Sequence, residues 1–173
     1  MDSIETIVLG HPFWQGVDAQ FVPLLADSAK LQYFGVDDII VQERHEADHL
    51  YLVHRGQVAL EYFIPGSGVV TMQILGAGEA LGWSWLFPPF QWQCTARSLD
   101  ATEIIAFNAG QLREAAQRNP AFGRDLVTRM AKVLLHRLQA NQQKFKEFTD
   151  INVDKGIEEC LSQSGEIEST PAS

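Results

Sequence analysis

Residues 76–97, GAGEALGWSWLFPPFQWQCTAR, hold three glycines, two adjacent prolines and five large aromatic side chains. A glycine that opens a short turn can present backbone N–H groups to an anion, as a helix N-terminus does for a phosphate. Trp83, Trp85, Phe87, Phe90 and Trp92 can either line a slot for a planar or apolar ligand or fill that space themselves. His45, His49 and His54 in HEADHLYLVHRG raise metal chemistry, which in a β-barrel needs several imidazoles and often a carboxylate converging on the interior. The odd interval from His49 to His54 sends the two rings to opposite faces of a regular strand, so no metal site is expected. Ser84 has no base-and-acid partners in an order that suggests nucleophilic catalysis. Cys94, flanked by Gln93 and Thr95, reads as a buried, inert thiol.

The elements that must position these residues fall into three textures. Residues 1–34 show apolar positions at helical spacing (Phe21, Leu24, Leu25, Ala29), with Asp18 as an N-cap, and are expected to form short helices. Residues 35–107 change to short β-rich runs, IIVQ, HLYLVHRG, QVALEYFI, VVTMQIL, ARSL and TEIIAF, separated by turn signals. PGSG between two of them predicts a hairpin connection, because glycine is free to take positive φ. This is the pattern of a small antiparallel barrel or jelly roll. From residue 108 to 148 the period is helical again, with Asn108 as a cap for AGQLREAAQRNP and Pro120 dividing it from a long helix. Val127, Ala131, Leu134, Leu138, Asn141, Phe145 and Phe148 follow a four-and-three spacing that predicts a homodimer seam over residues 124–148 or packing on the chain's own barrel. Residues 149–173, with six acidic residues and one lysine, read as a weakly structured acidic tail.

Composition narrows the functions. The 173 residues suit one globular domain, and the formal net charge of -9 disfavours indiscriminate binding to DNA or anionic membranes. The two cysteines, Cys94 and Cys160, make no CxxC pair or disulfide framework, and the N-terminus lacks a signal-peptide pattern. No apolar run approaches the roughly 20 residues of a membrane-spanning helix. A reduced, cytoplasmic protein without cofactor is expected.

FGVDDIIVQERHEADHLYLVHRGQVALEY, GAGEALGW and GQLREAAQRNP followed by a long helix are similar, in order and spacing, to the cyclic nucleotide-binding domains of the catabolite activator protein type. The likeness spans roughly residues 12–148. It implies a mainly β fold, an antiparallel barrel or double-stranded jelly roll with flanking helices, and places the family's phosphate-binding cassette on residues 82–97. In that family a glycine-led turn, a glutamate on the ribose and an arginine on the phosphate hold the nucleotide. Gly82 matches the glycine. Trp83 stands in place of the glutamate, and Trp92 or Gln93, depending on one gap, in place of the arginine.

A charge-assisted hydrogen bond contributes about 1.5–3 kcal/mol, so two lost anchors weaken binding by roughly two to four orders of magnitude. The chain is therefore expected not to take cAMP or cGMP in the usual way. The residues of the altered cassette, Gly82, Trp83, Ser84, Trp85, Trp92, Gln93 and Arg97, are expected to make an aromatic plug or to hold a different small ligand, with Arg97 either its charged contact or an outward surface arginine. The family's DNA-reading regulators carry a helix-turn-helix domain after the long helix. Only 25 residues follow Phe148 here, and they are acidic, so no DNA contact is expected. The long helix is rich in Arg124, Arg129, Lys132, Arg137, Lys144 and Lys146, which reads as a solvated face. The reading is a stand-alone, non-catalytic regulatory or sensor domain that acts through a protein partner. Its rivals are a structural adaptor with a plugged pocket and a cupin-like metal enzyme.

Overall fold

The computed structural model describes residues 3–164, with side chains described for residues 3–147. The chain divides into two units, Met1–Val133 and Leu134–Ser173.

In the first unit, α1 (Ile4–Gly10) is capped by Ser3, whose side chain accepts from the Thr6 N–H. Two single 3-10 turns follow, Pro12–Trp14 and Ala19–Phe21, the second capped by Asp18 as its position predicts. After α2 (Val22–Ser28) the chain turns to strand earlier than expected. Residues 29–34 are β1 (Ala29–Phe34), not the end of a helical segment. Ala29 fits the helical spacing but is the first residue paired to the last strand, and its burial comes from that pairing.

The further strands are β2 (Ile39–Val41), β3 (His49–Arg55), β4 (Val58–Ile64), β5 (Gly68–Leu75), β6 (Thr95–Ser98) and β7 (Thr102–Asn108). They form two antiparallel sheets, β1-β7-β3 and β2-β6-β4-β5. The strand β6 of the second sheet alternates inward and outward side chains. Val58 and Leu60 of β4 face Ser98 and Ala96 of β6, and all four are buried. The hairpin of β4 and β5 turns through Gly66, whose φ of 86° only glycine takes without strain. At the β3–β4 turn, Gly56 has φ 90° and a Cβ there would lie 2.6 Å from the Thr102 hydroxyl, so the position tolerates no side chain.

Inward residues of both sheets, including Leu50, Leu52, Leu60, Ile104, Ile105 and Phe107, share one hydrophobic cluster with Trp14 of the N-terminal turn and with Phe122, Leu126 and Met130. The last three belong to α4 (Pro120–Ser164), which follows α3 (Ala109–Arg118). Asn108 caps α3 by accepting from the Gln111 N–H, and Asn119 caps α4 by accepting from Ala121 and Phe122. Arg129 fastens the start of α4 to the N-terminal turn: it pairs with Asp125 and donates to the carbonyls of Phe13 and Gln15.

The helix runs past the end expected at Phe148, to Ser164, so the first part of the acidic segment is helical. The rest of the expected tail lies outside the described residues. Along α4 the predicted seam is open to solvent at Val127, Ala131, Leu138, Asn141 and Phe145, and half-buried at Leu134. Phe148 lies beyond the described side chains.

Candidate functional site

The cassette segment is a folded turn without a helix, and its aromatics separate into two sets. Trp85 and Trp92 are buried in the hydrophobic cluster, Trp83 and Leu86 pack partly against it, and Phe87 with both prolines is exposed. Trp85 donates its indole N–H to the Gly82 carbonyl at 3.2 Å, so the one polar atom of the buried ring is satisfied inside the turn. The N–H groups of Leu86 and Phe90 bond to the carbonyls of Trp83 and Phe87 at 2.9 and 3.0 Å. Those amides are spent within the chain. The Pro88–Pro89 bond is cis, and Phe90 sits at φ 55°.

The second half of the segment is tied to the loop before β3. Trp92 donates to the His45 carbonyl, Arg44 donates to the Trp92 carbonyl, and Ala47 donates to the Phe90 carbonyl, at 2.7–2.9 Å. These backbone bonds hold the Trp92 ring beside Tyr51 on β3, centroid to centroid 5.9 Å. The hydroxyl of Tyr51 is pushed up to about 12, first by burial and then by the charge of Asp48. A phenol so shifted stays neutral at any ordinary pH.

The first half is held from α3, by a residue that the sequence does not single out. Arg113 donates to the Trp85 carbonyl and lays its guanidinium 4.4 Å over the Phe90 ring. No local signal could have found it, since Arg113 reaches across 28 residues of sequence from an otherwise ordinary amphipathic helix. Beside it lies an open groove of about 680 Å³ bordered by Leu86, Phe90, Arg113, Pro120, Arg124 and Val127. Among the described residues none that line it is acidic.

The other expected residues are placed as follows. Gly82 and Ser84 are buried in the turn, and Gln93 is exposed, donating to the Gln91 carbonyl at 3.3 Å. Arg97 is not with them. Its neighbours Ala96 and Ser98 point into the core, so Arg97 takes the outer face of β6. There it donates from Nε and Nη2 to the Glu61 carboxylate on β4 at 3.1–3.2 Å and from Nη1 to the Asp37 carbonyl. The bonds to Glu61, then its charge, raise the guanidinium pKa further. The fork is occupied by a partner of its own chain, the outward alternative for this residue.

His45 is exposed and His49 bonds Asp48 at 2.8 Å. Among the described residues no three His, Cys, Asp or Glu side chains gather at metal-binding distance. The histidine that is buried is His11, outside the motif. Its Nδ1 accepts from the Phe13 N–H, which leaves Nε2 to donate to the Val53 carbonyl at 3.1 Å. Burial lowers its pKa, the Val53 bond opposes that and His54 adds to it.

Comparison with known proteins agrees with this architecture. Residues 31–119 match the family model described as Cyclic nucleotide-binding domain. A putative cyclic nucleotide-binding protein from Geobacter metallireducens is similar with a TM-score of 0.69 and 25% identity, over 80% of this chain and 98% of that one. A cyclic nucleotide-binding domain from Methylobacillus flagellatus gives 0.69 at 19% identity, over 82% and 80%. The Thermus thermophilus catabolite activator protein gives 0.62 at 22%, over 80% of this chain and 63% of its own. The search of curated proteins returns no match. Among the described residues no helix is long and apolar enough to cross a membrane.

Proposed function

The chain belongs to the cyclic nucleotide-binding domain family, and from that premise we propose that it is a non-catalytic regulatory module whose cassette is closed by its own aromatic side chains. It does not take up cAMP or cGMP through the family's anchors. The observation that carries this reading is the burial of Trp85 and Trp92 in the hydrophobic cluster of the sheets. Cassette side chains that would have to be free for a ligand are part of the core instead. Trp83 and Trp92 supply no carboxylate and no guanidinium where the family's ribose and phosphate contacts fall, and Arg97 is engaged by Glu61. Regulation in such a module runs through protein contacts. The solvent-exposed seam of α4, Val127, Ala131, Leu138 and Phe145, supports a homodimer through this helix, with Asn141 as the polar position that fixes register.

Titration calorimetry with cAMP and with cGMP tests the reading. No heat of binding is expected up to millimolar nucleotide, and a micromolar site for either would overturn it. A second reading rests on the groove beside Arg113: its apolar border and its two arginines without an acid suit a small ligand with an apolar body and a carboxylate. Decanoate titrated in the same calorimeter decides it, because binding lost in Arg124→Glu would establish the groove and silence would remove it.

A further inference from the structure

We propose that the outer edge of β5 is a self-pairing surface, on which a second copy of this chain adds its own β5 antiparallel, joining two four-stranded sheets into one. A sheet edge presents unpaired N–H and C=O groups, and folded proteins usually guard such edges. This chain guards three of its four. β1 carries Lys30 on its exposed face, β2 is only three residues long, and β3 is covered by residues 78–81 through bonds from Gly78, Leu81 and Val53. The fourth edge, β5, is eight residues long, and among the described residues no strand pairs with it on the side away from β4. It has no Lys, no Pro and no charge: residues 62–78 hold no charged side chain in a chain with 35 of them. Phe63, Val69 and Ile74, on β4 and β5, are 66%, 64% and 54% exposed.

Two features single out a second copy as the occupant. The first is charge. Two chains of net charge -9 repel each other over most of their surfaces, but the 62–78 stretch meets its own image without a like-charge contact, whereas it offers a strongly charged strand no counter-charge. The second is the symmetry of the strand itself. Leu60 pairs with Gln73 and Glu61 with Thr71, so Met72 is an extra, bulged residue. The bulge resets the alternation, and Val69 and Thr71 are exposed from one end as Ile74 and Met72 are from the other. A two-fold axis between Thr71 and Met72 therefore sets Val69 against Ile74, Val70 against Gln73 and Thr71 against Met72. Each outward residue meets an outward one and each inward residue an inward one. A one-residue slip would lose that match for every pair except the one residue set opposite its own copy.

The test must separate this edge from the seam of α4. A Leu138→Glu chain, blocked at the seam, is followed by sedimentation equilibrium from low to high micromolar concentration. Its apparent mass is expected to approach twice that of one chain. Adding Val69→Lys and Ile74→Lys is expected to hold it at the single-chain mass throughout, with an unchanged far-ultraviolet circular dichroism spectrum, since both side chains are exposed. A Leu138→Glu chain that is monomeric at every concentration, or association that survives the lysines, would overturn the proposal and leave the edge to a strand of another protein. If the lysine variant does not fold, disulfide trapping decides. Directly opposed residues of antiparallel strands lie about 4.5–5.5 Å apart at Cα, inside the span of a disulfide. With Cys160 replaced by serine, oxidation of an equimolar mixture of Thr71→Cys and Met72→Cys chains is expected to give the mixed covalent dimer. Its absence would likewise overturn the pairing.

Discussion

The cassette turn and the β4–β5 hairpin are both rich in large apolar side chains, and the fold uses them in opposite ways. In the turn, Trp85 and Trp92 go into the core, their backbone is tied to α3 and to the loop before β3, and the polar atom of the Trp85 indole is satisfied. In the hairpin, Phe63, Val69 and Ile74 stand on the outer face of the sheet with water around them. Apolar composition alone therefore does not say whether a segment is a core or a surface. What differs is the layer next to each: the turn is closed in by a helix and a loop, whereas the outer face of the second sheet is exposed at these residues.

Substitutions can break or sharpen this contrast. The largest effect is expected for Trp85→Ala, which removes a completely buried indole; such truncations cost about 3–5 kcal/mol, and urea denaturation of the variant would measure it. A loss below about 1 kcal/mol would mean the turn is not part of the core. Next comes Arg113→Met, which keeps the apolar stem over Phe90 but removes the donor to the Trp85 carbonyl. A hydrogen bond from a charged group contributes about 1.5–3 kcal/mol, so a loss at the lower end of that range is expected for a partly exposed arginine.

The third expectation concerns pH and again falls on the enclosed side. His11 is held neutral first by its burial, which outweighs the opposing bond to Val53, and its folded pKa lies below the unfolded value of about 6.5. The folded state binds fewer protons than the unfolded one, so this contribution is complete above about pH 6.5 and is lost as pH falls through the folded pKa. Thermal melts from neutral pH downward should show that decline, and His11→Gln should flatten it. The smallest effect belongs to the open side. Phe63→Ser, measured at a concentration where the chain is monomeric, should change stability by no more than about 0.5 kcal/mol. A cost like that of Trp85→Ala would show that the hairpin face is covered after all.

Much of this was legible in one dimension because local physics decides it. Six of the seven strands follow from short β-rich runs between turn signals. Asp18 and Asn108 cap because their side chains reach the N–H groups that a helix start leaves unpaired. β1 was not legible: its strand character depends on pairing with β7, some seventy residues away, and Ala29 carries no sign of that partner. For the same reason alternation along CTARSL leaves the face of Arg97 open. Ala96 and Ser98 settle it only once they meet Leu60 and Val58 across the sheet.

The sequence by itself determined the order of the elements other than β1, the family, and the absence of a carboxylate at Trp83 and of a guanidinium at Trp92 or Gln93, because these are properties of residue type and spacing. Only the tertiary structure decided which aromatics of the cassette are core, that Arg113 rather than Arg97 supports the turn, that the buried histidine is His11, and that β5 lies at the edge of its sheet. Each of these depends on what lies next to a residue in space, and contacts across tens of residues leave no periodic trace in the chain.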